Sequence, residues 1–305
     1  MFVFKNDNTN INIMTLKFLI IFIICLFFYI HIKHQKYCNK DDDIIITQID
    51  SKAQLDELCD YKLPIKFPNT KFTELLGINI SLIKKEFNNE HIDFNVCNIQ
   101  YNKVKTKDVL DFKDYVPLDI DNTIDLFSTE DTYITETNYN IMDTILRNQI
   151  NENDGFFKPP LNIKKYIDLL SGSIEATTYL QHYITNRTFL FVTSGSLKIR
   201  FVNPKFSHLF EKDFDYNEYI YKYKDNIWNY THNDKWNKFK YIEVDAKEGD
   251  IIFIPPYWLY SICYGRDCCC ISLKYEPLMN MISNMKEHTM SILQKSNTKV
   301  IKKLT

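Results

Sequence analysis

The residues of this chain with the widest chemical reach are its eight cysteines and seven histidines, spread over 305 residues. Cys25, Cys38, Cys59, Cys97 and Cys263 stand apart, whereas Cys268, Cys269 and Cys270 are consecutive. No two form a C-x-x-C pair, which argues against a zinc ribbon. Three adjacent thiols suit a strand with reduced cysteines better than a disulfide framework. His182 lies in an apolar, strand-like stretch, where an imidazole either ligates a metal or is a hydrogen-bonded pocket residue. His208 and His232 fall in a polar segment. Tyr260 closes the run Gly-Asp-Ile-Ile-Phe-Ile-Pro-Pro-Tyr-Trp-Leu-Tyr that begins at Gly249. A phenol there is read as a core-filling aromatic with a bonded hydroxyl rather than as a catalytic acid.

Two segments must position these groups. In residues 249–260 a turn enters a short apolar strand, and Pro255 and Pro256 end it at an aromatic corner. Upstream, residues 177–184, 188–193 and 196–202 are predicted strands, with Ser194 and Gly195 turning the last two. Leu197, Ile199 and Phe201 alternate with Lys198 and Arg200, so one face of that strand is buried and Lys198 points away from it. Strands are also predicted at 241–245 and 251–254. Residues 260–264 and 268–275 read as a hairpin across Gly265, Arg266 and Asp267. Trp228, Tyr230 and Trp236 are expected to pin the irregular segment 206–240.

The N-terminal half is mixed. Strands are predicted at 44–49, 63–67 and 94–101, and a helix capped by Ser51 at 52–59. Residues 82–87 carry helical signals, while 109–115 and 120–127 are ambiguous. A helix over 138–151 is spaced by Ile141, Ile145 and Leu146, followed by a turn at Asp154 and Gly155. A short helix is predicted over 163–170, broken by Ser171, Gly172 and Ser173. The C-terminal helix, 279–294, should turn Ile282, Met285 and Leu293 inward.

Composition bounds the partners. A hydrophobic content of 45% with 22 Phe and 20 Tyr supports a packed, strand-rich core. The net charge of −2 gives no field that would draw nucleic acid, so none is expected as a partner. Leu16 to Ile32 is apolar apart from Lys17 and His31, which can snorkel. As a helix it reaches roughly 25 Å, enough to enter and cross a bilayer. The competing readings are a signal-peptide core, after which no small-residue cleavage site follows, and a buried helix. Lys33, Lys36 and Lys40 after the span, against Lys5 and Lys17, favour a cytoplasmic C-terminal side. Three N-x-S/T sequons, at Asn79, Asn186 and Asn229, carry little weight in so Asn-rich a chain. The expected organisation is a tail and transmembrane anchor (1–36), one domain (44–277) and a C-terminal amphipathic helix with a basic tail (278–305).

An apolar strand entered through Gly249-Asp250 and ended by Pro255-Pro256-Tyr257-Trp258 resembles the second half of the cupin-like, JmjC-related barrel family. Phe157-Lys158-Pro159-Pro160, the Ser171-Gly172-Ser173 break, Thr177-Thr178, His182, Ser194-Gly195 and Asn203-Pro204 resemble its first half in order. The opening strand and helix with Leu63-Pro64-Ile65 are similar to the family's N-terminal extension. The resemblance covers roughly residues 44–277. More narrowly, the chain is similar to membrane-anchored cupin-like proteins of large DNA viruses.

The resemblance implies a mainly β fold: a double-stranded β-helix of the cupin or jelly-roll type, with peripheral helices and one N-terminal transmembrane helix. Active members hold Fe(II) with a His, an acid two residues on and a distal His, and bind 2-oxoglutarate beside it. On this sequence the first His matches His182, the acid falls on Ile184 and the distal His on Tyr260. The cosubstrate lysine falls on Leu197. One of three ligands is kept, so no cofactor is expected and His182 is at most a weak metal candidate. His182, Ile184, Tyr260, Thr188, Leu197 and Tyr179 then line a pocket without a metal, with His182 and Tyr260 sharing one interior. The resulting expectation is a catalytically silent binding or assembly module. It would be held in a host or virion membrane and engage a protein or small molecule. An Fe(II)/2-oxoglutarate oxygenase with non-standard ligands is the alternative.

Overall fold

The computed structural model describes residues 7–86, 92–99, 115–212, 220–223, 225–228 and 238–304. All but Tyr115 of the ambiguous segment 109–115, and residues Tyr230, His232 and Trp236, with the sequon Asn229, lie outside them. The N-terminal half runs α1 (Asp7–Gln35), β1 (Ile45–Ile46), α2 (Lys52–Asp60), β2 (Ile65–Pro68), α3 (Ile80–Glu86), β3 (Asp93–Asn98), β4 (Val116–Asp119), α4 (Ile120–Thr129), β5 (Tyr133–Thr135) and α5 (Tyr139–Phe157). Strands then dominate: β6 (Asn162–Gly172), β7 (Gln181–Tyr183), β8 (Arg187–Ser194), β9 (Ser196–Val202), β10 (Ile220–Lys222), β11 (Tyr241–Lys247), β12 (Asp250–Ile254), β13 (Leu259–Tyr264) and β14 (Cys269–Pro277). Two helices close the chain, α6 (Leu278–Ser283) and α7 (Met285–Leu304).

The strands form two open sheets. One has nine strands in the order β1-β2-β12-β8-β14-β6-β5-β3-β4, the other five in the order β10-β7-β13-β9-β11. All pairings are antiparallel except β1 with β2. Strand alternation divides the core. Leu190, Val192, Ile252, Ile254 and Cys270 of the large sheet pack against Leu197, Ile199, Phe201, Tyr260 and Ile262 of the small one. The intervening residues Phe189, Phe191, Ile251, Phe253 and Ile271 face the other way, against α2, α3 and α5. Phe157, at the end of α5, anchors that second layer: its ring lies 5.1–5.2 Å from Phe72, Phe189 and Phe191. The fold is therefore mixed α/β, with large antiparallel sheets.

Consecutive strands change sheets at each corner from β8 onward, except where β9, β10 and β11 follow one another in the small sheet. This overturns the expected hairpin of residues 260–264 with 268–275. β13 pairs with β7 and β9, whereas β14 pairs with β6 and β8. Every residue of β14 is buried, which requires neighbours on both sides and excludes an edge position beside β13. Two corners interlock tightly: Gly195 has φ +67°, and a Cβ there would stand 2.4 Å from the Arg266 carbonyl oxygen.

Other expectations are corrected. Residues 163–170 are strand, not helix: β6 pairs with β14 along its length and is buried on both faces over its C-terminal half. A doubly buried strand shows a continuous apolar run, which periodicity does not separate from a helix. The turn at Asp154 and Gly155 lies inside α5, which continues to Phe157 and stops where Pro159 restricts its predecessor Lys158. The ambiguous segment 120–127 is helical, capped by the Asp119 side chain on the Asn122 amide. The first strand contracts to Ile45 and Ile46.

The C-terminal helix is turned round. Met285 and Leu293 are 66% and 53% exposed, and the buried positions are Asn280, Ser283, Asn284 and Ser291. At the other end, an 18-residue window within Thr15–Gln35 of α1 has a mean hydropathy of 2.4 and no buried residue. This helix is long and apolar enough to cross a membrane, a property that a signal sequence shares.

Candidate functional site

β7 is three residues long, and its alternation decides the site. Gln181 and Tyr183 point between the sheets, and His182 points to the outer face. Tyr260 stands directly opposite Gln181 on β13, and the Gln181 Nε2 donates to its hydroxyl at 3.0 Å. Tyr183 and Tyr260 rings lie 5.4 Å apart. Burial, with Tyr183 close by, pushes the Tyr260 phenol well above its ordinary value. The expected sharing of one interior by His182 and Tyr260 is therefore wrong. Residues adjacent on a strand face opposite ways, so the partner of Tyr260 is Gln181.

His182 has its own surroundings. Tyr221 sits opposite it on β10, and the two rings stack at 5.0 Å and 12°. The Tyr223 hydroxyl and His182 Nδ1 are hydrogen-bonded at 3.1 Å. Lys212 Nζ lies 4.5 Å from the centre of the Tyr221 ring. Burial, and secondarily the charge of Lys212, lowers the imidazole pKa to about 3. His182 is thus neutral in the native state.

Thr188 faces the interior and is bonded to Thr185 at 2.9 Å. Leu197 is packed in the layer between the sheets, and Lys198 is outside it, 3.8 Å from Asp245. Tyr179 donates to the Ile99 carbonyl at 2.8 Å, and burial raises its pKa to about 12. Ile184 is buried, and its carbonyl accepts from the side-chain amides of Asn280 and Asn284. Its side chain adds no donor to the interior.

Sequence reasoning missed the polar groups that do meet inside. Glu136, 1% exposed, pairs with Lys222 and accepts from Tyr115. Burial opposes its charge, but Lys222 and the Tyr115 hydrogen bond outweigh it and hold its carboxyl below the ordinary range. Lys274 lies 3.8 Å from Asp168, donates to Tyr139 at 2.8 Å and sits 4.1 Å from the Tyr183 ring centre. Asp168 accepts from the backbone amides of Thr137 and Asn138. Glu136 Oε2 and Gln181 Oε1 have no hydrogen-bond partner among the described residues. Both residues line one cavity of about 10 Å³, with Thr178, Tyr179 and Lys222. That is room for about one water, whose two hydrogens match two bare acceptors. The signal for Gln181 and Tyr183 was present in the alternation about His182. Glu136 carried none, because a buried acid depends on a lysine many residues away.

The chemistry of this interior, among the described residues, is that of an amide, phenols, buried thiols and two ion pairs. Tyr260 stays protonated at neutral pH, an amide oxygen is a weak ligand, and Lys222 and Lys274 already face carboxylates. Among the described residues, this donor set is a poor match for Fe(II) and 2-oxoglutarate. On the outer face of the small sheet, Trp228 donates to Ser261 at 2.8 Å and stacks on Arg200 at 4.0 Å. It closes one side of a groove of about 680 Å³, lined also by Lys198, Asp245 and Cys263. No family model matches the chain, and no curated protein matches it.

Proposed function

We propose that this chain is a membrane-anchored, cupin-like (JmjC-related) domain that has lost metal chemistry and works as a binding or assembly module at a host or virion membrane. One observation carries the reading: the inward positions of β7 and β13 hold Gln181, Tyr183 and Tyr260, hydrogen-bonded and packed, where an oxygenase would need metal ligands. Two face-to-face antiparallel sheets with strands crossing between them support the jelly-roll assignment, and α1 supports the anchor. His182, the ligand an oxygenase would depend on, faces outward onto Tyr221.

The groove beside Trp228 is the surface for a small molecule or a peptide segment, since its size lies in the usual ligand range. Turnover of 2-oxoglutarate by the full chain in detergent, with Fe(II) and ascorbate, tests the silent reading. Succinate should not rise above a protein-free control. Sustained succinate release would restore the oxygenase alternative.

A further inference from the structure

The last two helices are built inside out. Asn280 and Asn284, both buried, donate their amides to the Ile184 carbonyl at 3.1 and 3.2 Å. His288 Nε2 lies 2.8 Å from Glu276 Oε1, and Ser291 is fully buried. The polar side of α7 therefore faces the protein. Met285, Ile292 and Leu293, at 66%, 64% and 53% exposure, fall on one side of the helix and point away from it. Leu278 of α6 is also exposed.

Position and charge indicate what covers this face. α1 packs on α6, and Asn186 donates to Gln35 at the end of α1 at 3.0 Å. Asn284, which joins α6 to α7, accepts from the Tyr257 hydroxyl at 2.8 Å. The start of α7 thus lies beside the root of α1. In sequence α7 carries Lys286, Lys295, Lys299, Lys302 and Lys303 against one acid, Glu287. An outward apolar face in a basic helix suits the headgroup region of an anionic bilayer.

We propose that α7 lies in the surface of the same bilayer that α1 enters, as a second, in-plane anchor that prefers anionic lipid. This rests on the reading of α1 as a membrane span.

The test uses the full chain in lipid nanodiscs of phosphatidylcholine, alone or mixed with phosphatidylserine, each with a photoactivatable lipid. Lipid adducts are mapped by mass spectrometry. Adducts are expected in α1 and on peptides covering 285–293, the latter rising several-fold with phosphatidylserine. In an Ile292→Asp/Leu293→Asp variant the α7 adducts should fall about tenfold while those in α1 persist. Adducts in α1 but none in α7, in either lipid, would overturn the in-plane anchor and leave the span intact, as for a face reserved for a protein partner. Adducts in neither would overturn both.

Discussion

The Gln181 side-chain amide donates to the Tyr260 hydroxyl at 3.0 Å across directly opposed positions of β7 and β13. Both residues are essentially inaccessible, so neither group can turn to water instead. Tyr260→Phe leaves the Gln181 amide unsatisfied and should cost about 1–3 kcal/mol. Adding Gln181→Leu removes the stranded donor. The double variant should therefore be less destabilised than the two single losses added together, a coupling readable from denaturant unfolding of the four proteins.

His182 makes stability depend on pH. Its folded pKa, about 3, lies below its unfolded value of 6.5, so the unfolded chain takes up the proton first. The neutral imidazole supports the fold fully above pH 6.5, and this support is lost as pH falls toward 3, by about 1.4 kcal/mol per pH unit. His182→Phe keeps a ring against Tyr221 but gives up the Tyr223 hydrogen bond. The variant should be less stable than the parent at pH 7.5 by about 1 kcal/mol. At pH 5 it should equal or exceed the parent, as followed by thermal melts across that range.

Two glycines with positive φ separate backbone strain from collision. Gly249 has φ +85° and ample space: the nearest atom to a Cβ placed there would be Leu76 Cδ2, at 3.9 Å. Gly249→Ala should cost only the left-handed penalty, about 1–2 kcal/mol. Gly195→Ala adds a collision with backbone atoms of Arg266 and Asp267 at 2.4–2.8 Å. It should destabilise clearly more, because the corner between β8 and β9 cannot part from the corner between β13 and β14. Parallel melting curves of the two variants make the comparison.

The thiols should report native packing. Burial raises Cys59 and Cys269 to about 12, and Cys268 and Cys270 are fully enclosed. Alkylation of the native chain at pH 8 should spare these four and reach them only after denaturation. Cys38 and Cys263, half-buried with raised pKa values, should react slowly.

Much of the sheet scaffold was legible in the sequence, because alternation such as Leu197, Ile199 and Phe201 against Lys198 and Arg200 fixes a strand and its inner face. Ser51 as a cap and the apolar run of α1 were equally direct. The failures have separate causes. β6 is buried on both faces over its C-terminal half, so it lacks the alternation that marks a strand, and a local turn such as 265–267 does not reveal whether the next strand, correctly expected at 268–275, returns to the same sheet. α7 misled because amphipathicity shows that two faces differ, not which one meets the protein. The site was half legible: strand period placed Gln181, Tyr183 and Tyr260 in principle, but fixing the inward role on His182 shifted the reading by one residue. Glu136, Lys222, Asp168 and Lys274 meet only through tertiary pairing.

The most direct test of a metal-free interior is anaerobic equilibrium dialysis of the full chain against Fe(II), with bound iron measured per chain. No saturable site is expected, in the parent and in His182→Phe alike. One iron bound per chain, lost on Tyr260→Phe or Gln181→Leu, would contradict it.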